Sequence, residues 1–297
     1  MPNLSTIAIA RQKHPALAAD NPFDIAWDYR YLPASDYLGD MHYALQLGIC
    51  LTGASEIVYD GYSRICRPGE CWWTMCWEPH AYRALARRSF TVAINLDLNS
   101  LGQCDPFGSC NWLLPFSLPP EQRFMPESAA ERRFFAEAGR QLFHWHCRGG
   151  RFHRQQSWLL IHQLLLTALE SLYAVHKNET AQARLLGGYF PRLRPAVELA
   201  RAAGIEPVTL AHAAAACSLS PSRFSELFRE AFGLSFGQFA ARARLGRAAR
   251  EVLHSPLTIE EIAARWGYFD SSHFCHAFKK VYQCSPSEFR LRKASEF

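Results

Sequence analysis

The chain carries an internal repeat near its C-terminus, and this repeat constrains the fold more than any other feature. Residues 220–242 and 270–292 align without a gap at an offset of fifty positions. The positions shared by the two copies include Phe224 and Phe274, Phe228 and Phe278, Ser235 and Ser285, Phe239 and Phe289, and Arg242 and Arg292. Such a repeat predicts one structural unit that is built twice in tandem.

Each copy has the pattern of a helix-turn-helix unit. A short helix is predicted before each copy, at residues 209–216 and 258–265, and only three or four residues separate it from the longer helix that follows. Thr258 and Glu261 have the spacing of a capping box, and Ser220 and Asp270 are favourable helix starts. A short helix, a tight turn and a longer helix form the plan of a DNA-reading unit.

The apolar positions of each longer helix fall on one face at about 100° per residue. The opposite face then carries polar residues, of which those near the helix start can reach base edges and the cations at the far end can reach phosphates. These outward residues are Ser222, Ser225, Glu226 and Arg229 in the first unit and Ser272, Cys275, His276 and Lys279 in the second.

One helix is predicted between the two units, from Phe236 to Leu253. Its 18 or so residues span about 27 Å, so it could set two recognition helices about one turn of DNA apart. Arg247 and Arg250 project from its apolar stripe and are predicted to contact phosphates. A plain helical bundle with charged outer faces is the alternative interpretation of the same pattern.

The distribution of charge favours nucleic acid as the partner. From Pro191 onward the chain has 15 lysines and arginines against 10 acidic residues, whereas the part before Pro191 has 17 of each. The whole net charge of +5 therefore lies in the C-terminal third. A basic region attached to a neutral one is typical of DNA-binding proteins.

The C-terminal third resembles the AraC/XylS family of transcription regulators. The resemblance is carried by TLAHAAAACSLSPSRFSELFREAFG, by ARLGRAAREVL and by LTIEEIAARWGYFDSSHFCHAFKKVYQCSPSEFR. It implies transcriptional activation and RNA polymerase as a partner. It also implies base-edge contacts by Ser222, Ser225 and Glu226 and by Ser271, Ser272, Cys275 and His276. Ser218 and Gln283 depart from the family, which commonly has glycine at both places.

The length of 297 residues predicts more than one domain. Alternating apolar residues between Asp36 and Leu98 predict an antiparallel barrel or sandwich, and in outline this half is similar to the cupin-like effector domains of the family. Two amphipathic helices are predicted, Ser128 to Cys147 and Phe152 to His176. The second is strongly apolar and is expected to pack against the barrel, against the second subunit of a homodimer, or both. The predicted divisions are a barrel at 1–126, a dimerisation region at 127–180, a linker at 181–195 and the DNA-binding domain at 196–297.

The N-terminal half is predicted to bind a small organic effector that controls DNA binding or activation. Tryptophans and a tyrosine cluster on neighbouring predicted strands, and aromatic walls with a few polar groups suit a small ligand. Packing in a core is the other interpretation of the same aromatics. The residues proposed for this pocket are His42, Trp73, Trp77, His80 and Tyr82.

Two alternatives remain open. A metal-dependent cupin enzyme fused to a DNA-binding domain would use His42 and His80, but the paired His-x-His of metal cupins is missing. A thiol- or metal-responsive regulator would use Cys66, Cys71 or Cys76, or Cys275 on the recognition helix. The preferred prediction is a cytoplasmic regulator that is not an enzyme and has no metal, no cofactor and no membrane segment.

Overall fold

The computed structural model describes residues 7, 9–11, 17–18, 20–101, 105, 110–175, 192–202 and 206–294. Strands come first along the chain and helices follow. The strands are β1 (Ile9–Arg11), β2 (Phe23–Arg30), β3 (Leu38–Asp40), β4 (Leu45–Thr52), β5 (Ser55–Tyr59), β6 (Tyr62–Cys66), β7 (Cys71–Thr74), β8 (His80–Ala84) and β9 (Ser89–Leu96).

These strands form two sheets. Five of them pair in the order β1-β3-β8-β5-β6 and the other four in the order β2-β9-β4-β7. All pairings are antiparallel except that of the short β1 with β3. In the described part of the chain no ladder joins one sheet to the other, so the expected barrel is not closed and the domain is a two-sheet sandwich.

The four-stranded sheet is buried on both faces at its centre. Strand β4 is buried from Leu45 to Leu51 because its alternating side chains face two different cores. Leu51 and Ile49 lie directly against Gly139 of the helix that covers the outer face. Cys50 points the other way, into a core between the two sheets that it shares with Ile57, Tyr59, Cys66 and Trp72.

The helices that cover this sheet begin and end close to the predicted residues. After α1 (Leu114–Ser117) and a 3-10 turn at Pro120–Gln122 come α2 (Ala129–Arg148) and α3 (His153–Val175). Ser128 caps α2 and forms a complete capping box with Glu131. Among the described helices, none is both long and apolar enough to cross a membrane.

Seven helices are described beyond residue 191. They are α4, whose described part spans 192–202, α5 (Leu210–Ala216), α6 (Pro221–Phe232), α7 (Phe236–His254), α8 (Ile259–Arg265), α9 (Ser271–Tyr282) and α10 (Pro286–Ala294). Most of the predicted linker at 181–195 lies outside the described residues, and its last four residues belong to α4. The division of the chain into four regions stays a prediction.

Helices α4 and α7 attach the C-terminal region to the sandwich. Arg201 of α4 lies 3.6 Å from the Asp97 carboxylate and stacks over the ring of Tyr43. Arg242 of α7 donates a 2.9 Å hydrogen bond to the carbonyl of Trp77. The indole of Trp77 lies flush against Gly246, where a Cβ atom would sit only 2.2 Å from the ring.

Candidate functional site

The first helix-turn-helix unit consists of α5 and α6. Thr209 caps α5 by accepting from the backbone N–H of His212, and Ser220 caps α6 by accepting from that of Arg223. Between the helices, Ser218 has a positive φ of 54°, which the tight turn requires. Gly233 ends α6 in the left-handed conformation.

The second unit, α8 and α9, repeats this construction. Thr258 and Glu261 form the predicted capping box, and the Asp270 side chain accepts from the N–H of His273. Gly267, with φ of 67°, shapes the turn. Gln283 ends α9 with φ of 57° and ψ of 16°, so this helix stops as α6 does although glycine is missing.

The two long helices bury matching aromatic faces. Phe224 and Phe228 in α6 and Phe274 and Phe278 in α9 are fully buried. Phe228 stacks on Phe232 with ring centroids 4.3 Å apart, and their counterparts Phe278 and Tyr282 stack at 4.4 Å. The internal repeat is therefore a repeat of packing, and it fixes which side of each recognition helix remains outside.

The residues predicted to read base edges lie on this outer side. Ser222, Glu226, Ser272 and His276 are exposed, and Ser225, Ser271 and Cys275 are half-buried. Two further exposed residues near this side were not among the predicted DNA contacts. Arg223 forms a 2.6 Å ion pair with Glu226 on the outer face of α6. Phe269 is 93% exposed in the turn that leads into α9.

Three of the four predicted phosphate ligands are available to solvent. Arg229, Arg250 and Lys279 are exposed. Arg247 has a different environment from the expected one, because its guanidinium donates to the carbonyls of Ala200 and Arg201 and lies over the ring of Trp266. Burial lowers its pKa. Arg247 thus binds α4 and the second unit to α7 in this arrangement.

The cysteines named in the thiol-sensing hypothesis are shielded. Cys66, Cys71 and Cys76 are buried, and burial raises the pKa of each thiol above its usual range. Cys275 is half-buried, and burial raises its pKa as well. Because the thiolate is the reactive form, these environments favour unreactive thiols.

A small cavity of about 50 Å³ lies between the two sheets. Of the predicted effector residues, His80 and Tyr82 line it. Trp73 faces the outer core instead, where its indole N–H donates to the Phe124 carbonyl. Its neighbour Trp72 lines the cavity and stacks on Tyr82, since adjacent strand residues point to opposite faces. Trp77 lies in the turn against Gly246.

A buried polar network surrounds this cavity. The indole N–H of Trp72 can only donate, so it fixes the orientation of the Gln46 amide by donating to Oε1 at 3.3 Å. The Gln46 Nε2 group then donates to Asn95 at 3.0 Å and to Nε2 of His42 at 3.2 Å. His42 is thus held at the cavity although it is not among the lining residues.

A larger cavity of about 460 Å³ lies between the sandwich and the first helix-turn-helix unit. Arg123 and Glu78 on its sandwich side form a two-point ion pair with both distances 2.8 Å. Burial lowers the pKa of Arg242 on its α7 side. Its other lining residues include Tyr59, Asp60, Phe116, Phe232, Gly233, Leu234 and Gln238.

The duplicated geometry agrees with a comparison of the chain with known protein families. A helix-turn-helix domain model matches residues 213–292, which contain both units apart from the first residues of α5. The C-terminal third of this chain is an AraC-type DNA-binding domain. The resemblance stated from the sequence motifs is confirmed for this region.

Relatives of known name match the AraC-type domain. The regulatory protein PocR of Salmonella typhimurium is 36% identical over 72 residues, which cover 24% of each chain. The transcriptional regulator GlxA of Rhizobium meliloti is 33% identical over 113 residues, which cover 38% of this chain and 35% of GlxA. The matched segments therefore span about a quarter to a third of these relatives.

The whole architecture is similar to that of ToxT from Vibrio cholerae. One ToxT structure superposes with a TM-score of 0.56 at 10% identity, covering 91% of this chain and 98% of ToxT. This likeness concerns the fold, an N-terminal antiparallel region followed by a helical C-terminal region. The predicted fold class is confirmed, with two open sheets in place of the closed barrel.

Proposed function

We propose that the chain is a sequence-specific transcription regulator that acts in the cytoplasm as an activator and whose activity is controlled by a small-molecule effector. The observation that carries this proposal is the pair of capped helix-turn-helix units with matching buried faces and exposed polar faces. Relatives of the domain carry the names of regulators, and one of them, RhaR of Mannheimia succiniciproducens, is named as an activator. Promoter DNA and RNA polymerase are the partners that this function requires.

The larger cavity is the better place for an organic effector. Small organic ligands occupy cavities of about 300 to 1,000 Å³, and the cavity between the sandwich and the first unit has about 460 Å³. A ToxT structure with a TM-score of 0.53 contains (E)-4-(8-methylnaphthalen-1-yl)but-3-enoic acid. A ligand in this cavity of the present chain would touch both the sandwich and the end of α6, and would change DNA binding if it favoured one arrangement of them.

We also propose that the chain acts as a homodimer through α3. Leu159 and Leu166 of α3 are 68% and 42% exposed, and Phe152, which directly precedes α3, is 60% exposed. The three residues are spaced seven positions apart. A seven-residue apolar spacing is typical of helix pairs that pack along a seam. A second copy of the same helix would supply a matching apolar row.

The experiment that tests the regulator function is a selection of the purified full chain against random duplex DNA, followed by a salt titration on the selected site. Two enriched sequence blocks about ten base pairs apart, with affinity that falls steeply with salt, are the expected result. Enrichment of no sequence, with or without candidate effectors, would contradict the proposal.

A further inference from the structure

Three buried side chains that commonly bind metal ions lie together beside the small cavity between the sheets. Asp40, His42 and His80 are 7%, 3% and 3% exposed. One ligand atom from each lies within 4.8 Å of the ligand atoms of the other two. Within the described residues, no other group of three histidine, cysteine or acidic side chains has this spacing.

The register of two strands holds the three residues together. Asp40 and His80 are direct partners in the antiparallel ladder of β3 and β8. His42 follows Asp40 by two positions, and its carbonyl accepts from the N–H of Trp77 at 2.7 Å, which extends the contact beyond the end of β3. Directly paired residues lie on the same face of a sheet, so this register places Asp40 and His80 side by side.

Both imidazole rings direct Nδ1 at a backbone carbonyl, as metal-binding histidines commonly do. Nδ1 of His42 lies 2.9 Å from the carbonyl of Ala44, and Nδ1 of His80 lies 3.0 Å from the carbonyl of Glu78. A carbonyl only accepts, so each Nδ1 carries a proton, and Nε2 is the ring atom through which each histidine would bind a metal ion. Metal-binding histidines commonly donate their other ring N–H to a backbone carbonyl or a carboxylate.

The Gln46 network supports the same assignment for His42. Because Trp72 fixes the Gln46 amide, the amide nitrogen donates to Nε2 of His42, which must therefore be an acceptor. A metal ion would replace this 3.2 Å hydrogen bond, and the amide would keep its 3.0 Å bond to Asn95.

The donor set selects the class of ion. Two imidazole nitrogens and one carboxylate suit Zn²⁺ or Fe²⁺, whereas Ca²⁺ and Mg²⁺ prefer oxygen ligands throughout. Bonds of about 2.1 Å hold tetrahedral ligands about 3.4 Å apart, so small side-chain rotations from the observed spacing are sufficient. The adjoining cavity of about 50 Å³ has room for water at an open position of the ion.

We propose that Asp40, His42 and His80 bind one divalent transition-metal ion, with Zn²⁺ as the best match, and that this ion stiffens the contact with α7. The turn at residues 75–80 makes the connection. The His80 ring bonds to the Glu78 carbonyl, and the backbone carbonyl of His42 accepts from the Trp77 N–H. The Trp77 carbonyl in turn accepts from Arg242 of α7, and the Trp77 ring packs against Gly246 of α7. Only an effect of the ion on DNA binding would rest on the proposed regulator function.

The metal site is tested by titrating metal-free full-length protein with Zn²⁺ in competition with a chromophoric chelator, and with Co²⁺ followed by its visible absorption. We expect one ion per chain. Asp40→Asn and His80→Gln should each weaken Zn²⁺ binding by at least about tenfold, because each replaces one metal ligand by an amide side chain of similar size. Near-ultraviolet circular dichroism checks that the variants are folded.

Two controls remove metal-binding groups elsewhere in the molecule. His162→Gln changes a buried histidine on α3, and Cys147→Ser removes an exposed thiol on α2. Both variants should bind Zn²⁺ as the unchanged protein does. Absence of one-to-one binding for both ions, or equal affinity in Asp40→Asn, His80→Gln and the unchanged protein, would overturn the proposal.

The contact with α7 is tested by hydrogen exchange without DNA. Zn²⁺ should slow amide exchange at residues 75–80 and in the part of α7 around Gly246, and it should leave the Asp40→Asn variant unchanged. Equal exchange with and without Zn²⁺ in the unchanged protein would overturn the stiffening of α7. Because neither measurement involves DNA, a failure to select a DNA site would count against the regulator function and leave the metal result intact.

Discussion

Single residues in the left-handed conformation determine how the two recognition helices end. Gly233 and Gln283 occupy the same place in the repeat, with φ of 70° and 57°. Glycine adopts this conformation without strain, whereas a residue with a Cβ atom loses about 1 kcal/mol. The Gln283 amide regains part of this energy through a 3.0 Å bond to the carbonyl of Lys280.

Gln283→Gly should therefore stabilise the protein. We expect the free energy of unfolding to rise by up to about 1 kcal/mol, measured by urea titration with circular dichroism. Gly233→Ala is the matched opposite change. A Cβ atom at Gly233 would have open space around it, so only backbone strain should act, and the free energy should fall by a similar amount. A loss of stability in Gln283→Gly would show that the amide bond outweighs the strain.

Exposed residues on the recognition helices should separate into two groups by their effect on DNA binding. Lys279→Ala should weaken binding to all sequences and reduce the slope of log affinity against log salt by about 0.9, as expected for one lost phosphate contact. Glu226→Ala should relax the preference at one base position, with a discrimination loss of about 1 to 3 kcal/mol. Fluorescence anisotropy at several salt concentrations measures both effects.

Arg140→Ala is the control for these variants. It removes one exposed positive charge from α2, on the N-terminal side of the molecule. Its salt slope should equal that of the unchanged protein. If Lys279→Ala changed base preference without changing the salt slope, the assignment of the outer face of α9 would be wrong.

At the scale of single side chains, the sequence predicted which residues are exposed better than it predicted which residues they contact. The helical period placed Ser222, Glu226 and His276 outside, because the buried phenylalanines fix the orientation of each helix. The same period placed Arg247 outside, but its partners come from α4, which no local pattern could reveal. Asp40 was missed as a metal ligand because its closeness to His80 depends on strand register.

At the scale of elements, the helix bounds followed from capping residues and apolar periods. Ser128, Ser220 and Thr258 each cap the helix that the sequence predicts. The strands were harder to interpret because alternation shows which residues share a face, but not what covers that face. The apolar face of β4 with Leu47 and Ile49 was expected inside a barrel, and it lies in the outer core beside α2 and α3.

The exposed apolar row of α3 leads to a prediction for this element. The double variant Leu159→Arg with Leu166→Arg should shift the protein from dimer to monomer in sedimentation velocity, because it places two cations in the proposed seam. Glu137→Arg on α2, where the native side chain is 78% exposed, should leave the dimer intact. Unchanged sedimentation of the double variant would place the dimer contact elsewhere.

At the scale of the whole molecule, α7 connects every part that the proposed regulation requires. It joins the two helix-turn-helix units, and its residue Arg242 lines the larger cavity. Its residue Gly246 contacts the indole of Trp77. The backbone N–H of Trp77 donates to the carbonyl of His42, one of the three proposed metal ligands. The contact exists because position 246 has no side chain, and a glycine in the middle of a helix costs about 1 kcal/mol relative to alanine.

Gly246→Ala should loosen the sandwich from the DNA-binding domain without unfolding either of them. The new Cβ atom would lie 2.2 Å from the Trp77 ring, so the indole must move, whereas the helix itself gains stability. We expect faster amide exchange at residues 75–80 and a changed affinity for the selected DNA site. Gly237→Ala is the matched control, because position 237 is on the same helix with open space around it. If both variants showed the exchange and DNA affinity of the unchanged protein, the Trp77 contact would not link the two halves of the molecule.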